Sequence, residues 1–160
     1  MKIEVRKAIK QDMPAVLKLI NELAKFENEP DAVEITVKDL ENDGFGDQPL
    51  FECFVAEVDG KIEGMALFYY RYSTWKGKTV HLEDLVVSEA FRGKGVGGAL
   101  YTEVIAYAKK QGCKRTEWVV LDWNTNAVEF YKNSGATVFD EWRTVQMDEA
   151  AMASFCAKTR

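Results

Sequence analysis

Apolar positions along this 160-residue chain recur at two spacings, every second residue and every third or fourth, and the changes between them divide it into elements. Ile3 and Val5 alternate with Lys2, Glu4 and Arg6, which predicts a strand over residues 3–7. The period then lengthens. Val16, Leu19, Ile20 and Leu23 share one helical face, behind Asp12 as N-cap and Pro14 in the first turn. Thr36, Val37, Lys38 and Asp39 open a second, shorter helix that ends near Gly44. Strands over 51–58 and 62–72 flank Asp59-Gly60 as a hairpin, and a further strand covers 80–87. Val96, Leu100, Val104 and Ala108 then form the stripe of a helix that runs to Gln111 and stops at Gly112. A strand over 115–121, a helix over 124–133 closed by Gly135, and a last strand over 142–147 complete the order β-α-α-β-β-β-α-β-α-β. Residues 148–158 read as one more helix.

Composition narrows the class of protein. With 47% hydrophobic residues the chain has ample material for a closed core, and residues 1–160 read as a single domain. Pro14, Pro30, Pro49 and the glycines are scattered, and no repeat, linker or low-complexity tract appears. The wholly apolar runs are only a few residues long, so no membrane span is expected. The first residues lack the apolar region of a signal peptide, which predicts a cytoplasmic protein. Cys53, Cys113 and Cys156 lack metal-ligand spacing and are expected to be reduced thiols, with no metal. A net charge of −5 argues against a nucleic-acid partner and mildly favours a cationic substrate.

The candidate chemistry begins between the strand at 80–87 and the stripe that starts at Val96. There Arg92, Gly93, Lys94, Gly95, Val96, Gly97 and Gly98 form a glycine-rich turn at a helix N-terminus, where unpaired amides and the helix dipole favour an anion. Two patterns fit this run. Gly93-x-Gly95-x-x-Gly98 matches the dinucleotide fingerprint, but that motif needs its first glycine at the strand end and an acid about 20 residues on. Here five residues separate the strand from Gly93, and the best-placed acid, Asp122, lies 29 residues beyond it. The other pattern is Arg92-x-x-Gly95-x-Gly97.

That second pattern resembles the coenzyme A loop of the GNAT N-acetyltransferases, whose successive elements also follow this order. Glu27, Asp39-Leu40, Asp43-Gly44-Phe45-Gly46, Tyr72, Trp75, Leu82-Glu83-Asp84, Trp123-Asn124 and Phe130-Tyr131-Lys132 extend the resemblance to the spermidine/spermine N-acetyltransferase branch. Ser73-Thr74-Trp75-Lys76-Gly77 and Val120-Leu121-Asp122-Trp123-Asn124 look most like its thialysine Nε-acetyltransferase members. The resemblance implies an α/β (α+β) GNAT fold with a mixed, mostly antiparallel split sheet flanked by helices. It also implies acetyl-CoA as co-substrate, a small amine as acceptor, and a homodimer paired through the last strand.

Amine acetylation requires that a coenzyme be held, that an ammonium lose a proton, and that a departing thiolate be stabilised. Arg92 to Gly98 are the candidates for the pyrophosphate, while the backbone of Leu85, Val86 and Val87 can pair with the pantetheine arm as another strand would. The resemblance adds Asn124, at a helix N-cap, and Tyr131 to the coenzyme site. Glu83 is the candidate to receive the amine's proton, and Asp84 to support the cation. Adjacent strand residues point to opposite faces, so the pair can share a cleft only across a bulge. Tyr131 is the candidate acid for the thiolate. His81, the sole histidine, is read as structural.

For the acceptor, Glu27, Glu83 and Asp84 offer negative charge, and the resemblance adds Trp75 and Leu121. Ser73 stands where the spermidine/spermine enzymes carry an aspartate. Ser73 and Thr74 would suit an amino acid's α-carboxylate, with Asp122 on its α-ammonium. The expected acceptor is therefore a thialysine-like lysine analogue or a diamine. Spermidine or spermine, a protein or peptide amine, and a non-catalytic acetyl-CoA-binding module are the alternatives.

Overall fold

The computed structural model describes residues 1–158, and the alternating segments pair in it as one sheet. β1 (Ile3–Lys7), β2 (Glu52–Val58), β3 (Lys61–Ser73) and β4 (Gly77–Val87) run antiparallel in that spatial order, and β5 (Thr116–Glu117) joins β4 in parallel. The β2–β3 turn is tight because Asp59 and Gly60 both take positive φ, 49° and 84°, as a two-residue hairpin of this twist requires. Five helices accompany the sheet among the described residues: α1 (Met13–Phe26), α2 (Val37–Phe45), α3 (Val96–Lys110), α4 (Thr125–Asn133) and α5 (Glu149–Lys158).

Both faces of the sheet are covered, which explains why β2 and β3 read as continuous apolar runs. Phe54, Ala56, Phe68 and Leu82 pack against Val96, Leu100 and Val104 of α3. On the opposite face Val55, Met65, Leu67 and Val86 meet Met13, Val16 and Leu19 of α1 and Leu40 of α2. Thr36 caps α2 as expected, exchanging bonds with Asp39. Asp12 occupies the N-cap of α1, but its carboxylate accepts from Arg6 at 2.7 and 3.1 Å and from the Ile9 amide at 2.8 Å instead of from the helix.

The chain forms two compact units, Met1–Val119 and the remainder from Val120. The second holds α4 and α5, with α5 started by Asp148, whose carboxylate accepts from the Ala151 amide at 2.8 Å. Two expected strands need correction. The segment 115–121 is a strand only at Thr116–Glu117, because β4 pairs with it at Val80 and His81 and then bulges at Glu83. Residues 142–147 form no strand, although Val145 and Met147 alternate as one would. A lone extended segment needs a neighbouring edge for its hydrogen bonds, and none of the described strands pairs with it. Trp142, Val145 and Met147 are left exposed. No helix among the described residues is long and apolar enough to cross a membrane.

Candidate active site

A regular strand would send Glu83 and Asp84 to opposite faces of the sheet, and the register shows why it does not. Leu82 pairs with Phe68 while Asp84 pairs with Leu67, so Glu83 is an extra residue bulged out of β4. Leu82 stays on the α3 face, whereas Asp84 shares the register of Leu67 and Val86 on the α1 face. Glu83 turns to the same side. Its Oε2 accepts from the Tyr69 hydroxyl at 2.9 Å and lies 3.5 Å from His81 Nε2, and Tyr69 and His81 are cross-strand partners with ring centroids 5.3 Å apart. Both acids therefore line one face, across the bulge without which adjacent strand residues could not share a cleft.

Glu27, at the C-terminus of α1, completes a group of three carboxylates. Burial holds the Asp84 carboxyl up at about 6, and the negative charges of Glu83 and Glu27 add to the effect. Burial also raises Glu27. The Tyr69 phenol is pushed up to about 12, first by burial and then by its bond to Glu83, so at neutral pH it remains a proton donor to that carboxylate. His81 is 12% exposed in its side chain, and its Nδ1 is buried with no hydrogen bond within the described residues. Crowded, partly buried carboxylates of this kind favour a cation, which lowers the repulsion among them.

Beyond His81 the outer edge of β4 has no strand partner among the described residues, so the backbone from Leu85 to Val87 has one edge that no strand occupies. The glycine turn follows directly. Gly93 and Gly95 take φ of 73° and 90°, conformations that side chains resist, and Gly95 is the N-cap of α3. A Cβ at Gly93, Gly95 or Gly98 would meet no protein atom within 4 Å, and one at Gly97 would touch only Val87 Cγ2 at 3.5 Å. The glycines answer to backbone conformation and exposed amides more than to packing within the chain. Arg92 is tethered, donating from Nε to the Val87 carbonyl at 3.1 Å with its guanidinium over the Phe26 ring, while Lys94 lies over Phe91. Exposed amides at a helix N-terminus beside that strand edge fit a pyrophosphate and the amide-bearing arm of coenzyme A.

At the far end of the β3–β4 hairpin Ser73, an expected acceptor residue, has partners within the chain. Ser73 Oγ accepts from the amides of Trp75 and Lys76, each at 3.1 Å, and from Arg115 Nη1 at 3.3 Å. It closes the turn. Thr74 and Trp75 are exposed beside it, Trp75 by 80%. Tyr69, which orients Glu83, and the charged trio Arg71, Arg115 and Glu117 were not singled out from sequence, because only the pairing register brings them together.

Four expected site residues lie in the second unit. Leu121 and Asp122 are exposed ahead of α4, and Asn124 is its N-cap, accepting from the Ala127 amide at 3.4 Å. Tyr131 is half-buried on α4, its ring 5.6 Å from that of Phe130. No cluster of three or more His, Cys, Asp or Glu among the described residues could hold a metal. Burial pushes the Cys53 thiol up to about 12, which keeps it unreactive.

Comparison with known proteins places this geometry. The profile of the acetyltransferase (GNAT) family matches residues 14–136. Thialysine N-epsilon-acetyltransferase of Bos taurus is 36% identical, over 98% of both chains. Spermidine/spermine N(1)-acetyltransferase-like protein 1 of Homo sapiens is 39% identical over 83% of this chain, which spans 20% of that longer protein. Among solved structures, an integron cassette protein from the mobile metagenome of V. cholerae superposes with a TM-score of 0.80 at 23% identity over 98% of both chains, a likeness of fold. The chain belongs to the GNAT acetyltransferase family. It is an N-acetyltransferase, and the mixed sheet flanked by helices is the GNAT fold.

Proposed function

We propose that this protein transfers the acetyl group of acetyl-CoA to the primary amine of a small cationic acceptor, a thialysine-like lysine analogue or a diamine, by direct attack. The observation that carries the reading is the bulge at Glu83, which gathers Glu83, Asp84 and Glu27 on the face that ends in the glycine turn. The amides from Arg92 through Gly98 hold the pyrophosphate, and the strand edge at Leu85, Val86 and Val87 holds the pantetheine arm, with Asn124 as a further contact. Acetyl-CoA supplies an activated thioester. Glu27 and Asp84 attract and orient the ammonium, and Glu83 takes its proton directly or across one water, since only the free amine is a nucleophile. Tyr69 keeps Glu83 in place through its hydroxyl. Tyr131 returns a proton to the departing thiolate.

The thialysine reading rests on the Bos taurus relative and on the hairpin words Ser73-Thr74-Trp75-Lys76-Gly77. A polyamine acceptor is the second reading, favoured by the carboxylate group and by the Homo sapiens relative. Asp122, Leu121 and Trp75 belong to the acceptor site in either case. We further propose that residues 1–160 work as a single catalytic domain, cytoplasmic, in a homodimer that covers the exposed Trp142, Val145 and Met147. Turnover of acetyl-CoA against thialysine, diamines, spermidine and a lysine peptide tests the acceptor class. Tyr131→Phe should lower kcat roughly 10²-fold while sparing coenzyme affinity. Unchanged turnover would remove Tyr131 from the mechanism, and a monomer by light scattering would remove the dimer.

A further inference from the structure

Tyr69, Arg71 and Ser73 follow one face of β3, so the hydroxyl that holds Glu83 and the Arg71 guanidinium lie on the same side, two residues apart. Their charges communicate. The Tyr69 phenol is raised by burial and by Glu83, and Arg71 works in the opposite direction on the same hydroxyl. Arg71 pairs with Glu117 of β5 in a close contact, and Arg115 Nη1 lies 3.9 Å from the other oxygen of the same carboxylate and 3.3 Å from Ser73 Oγ. Two guanidiniums thus share one carboxylate. Their side chains are 58% and 33% exposed, so several N–H donors remain open to solvent. The hairpin face therefore has two poles, acidic at the bulge and basic toward the turn.

We infer that Arg71 and Arg115 form a carboxylate-binding subsite that selects acceptors carrying an anionic group at the far end from the reacting amine. Two residues of strand span about 7 Å. The amine and carboxylate of an extended lysine-like side chain are separated by about the same distance, from ordinary bond lengths. An acceptor of that length, its ammonium at Glu83 on the near side of the acidic group, places its carboxylate against the guanidinium forks, which suit a planar anion. A diamine or polyamine brings a second ammonium to the basic pole with no carboxylate to offset it and is disfavoured there. Ser73 helps by holding Arg115. The inference rests on the acetyl-transfer reading above and chooses between its two acceptor classes.

The test uses the whole purified protein with acetyl-CoA and two acceptors that share one reacting arm, thialysine and its decarboxylated counterpart, bis(2-aminoethyl) sulfide. Wild type should show a kcat/KM about tenfold or more higher for thialysine. Arg71→Gln and Arg115→Gln should each lower that ratio about tenfold, through the KM for thialysine, while Arg71→Lys should retain part of it and Glu117→Gln should raise it. A ratio that is unchanged in all four variants, or a wild type that prefers the decarboxylated acceptor, would overturn the subsite. If neither amine is acetylated, it is the acceptor reading that fails. Calorimetric titration with thialysine then decides the subsite separately: binding by wild type that Arg71→Gln weakens about tenfold supports it, and equal binding or none refutes it.

Discussion

The sheet carries two bulges, and in each the extra residue is a glutamate. Glu63 is squeezed out of β3 between Ile62, which pairs with Glu57, and Gly64, which pairs with Ala56. Its carbonyl accepts from the Ser88 amide at 2.8 Å and its carboxylate from the Ser88 hydroxyl. Those two bonds pin the end of β4 just ahead of the glycine turn, and the adjacent Gly64 lets α3 lie close, since a Cβ there would meet Leu100 Cδ1 at 2.9 Å. Glu83 sits in the same kind of distortion, with a charged neighbour at Asp84 and a third carboxylate at Glu27. A bulge by itself therefore does not mark the reacting centre. What separates the two is the further company of the carboxylate: each accepts from a neutral hydroxyl, Ser88 at Glu63 and Tyr69 at Glu83, but Glu83 is also grouped with Asp84 and Glu27, like charge that an ammonium would relieve.

The sharpest break in that comparison is Glu83→Gln. It keeps the shape and removes the proton acceptor, so kcat should fall roughly 10²-fold at neutral pH and the pH–rate profile should move alkaline, toward the amine's own titration near 10. A profile identical to wild type would make the two bulges equivalent. Gly64→Ala attacks the other bulge. Because the new Cβ would lie 2.9 Å from Leu100 Cδ1 and 3.1 Å from Val96 Cγ1 of α3, with the Val86 carbonyl of β4 at 3.2 Å blocking retreat, the start of α3 must shift, at about 1–3 kcal/mol of stability. Melting should fall by several degrees, about 2–4 °C per kcal/mol. Coenzyme affinity should fall with it while kcat at saturating acetyl-CoA is kept.

How much of the fold and site is legible in the sequence follows from the range of the interactions involved. Glu83 and Asp84 stood out because an acidic pair interrupts an apolar strand, and sharing a cleft demanded the bulge that the register shows. The turn at Gly93 and Gly95 was legible because helix stripe, strand and glycines lie adjacent in sequence. Tyr69 was hidden, since its link to Glu83 depends on a cross-strand register displaced by one residue. The meeting of Arg71 with Arg115 and Glu117 needs a parallel crossover through α3 that local pattern does not specify. Ser73 offered a hydroxyl, but only the folded turn shows the Trp75 and Lys76 amides that occupy it. Val145 and Met147 have the alternation of a strand, and alternation says nothing of whether an edge is present to pair with it.

A smaller effect should appear in stability at the acidic bulge. Asp84 ordinarily titrates at 3.8 and in the fold at about 6, so the folded protein binds a proton that the unfolded chain has already lost between those values. The stability that this proton contributes is therefore full below about pH 4 and is lost as pH rises through 6, at most about 3 kcal/mol. Asp84→Asn removes the charge and should raise the melting temperature by a few degrees at pH 7.5 and hardly at all at pH 3.5. An equal gain at both values would mean that packing, not charge crowding, distinguishes this bulge.

The smallest predicted effect is at Ser88, and it bears most directly on the claim that the Glu63 bulge is architectural. Ser88→Ala removes one hydroxyl donor from the Glu63 carboxylate and leaves the amide-to-carbonyl bond intact. The carboxylate is partly exposed and can turn to water, so the loss should be about 0.5–1.5 kcal/mol. Because the bond fixes the chain immediately before the glycine turn, the change should appear as a few-fold weaker acetyl-CoA affinity by calorimetry, with kcat and the pH–rate profile those of wild type. A fall in kcat approaching that of Glu83→Gln, or an alkaline shift of the profile, would show that both bulges act on the acceptor's proton and that the crowded carboxylates at Glu83 are not what sets it apart.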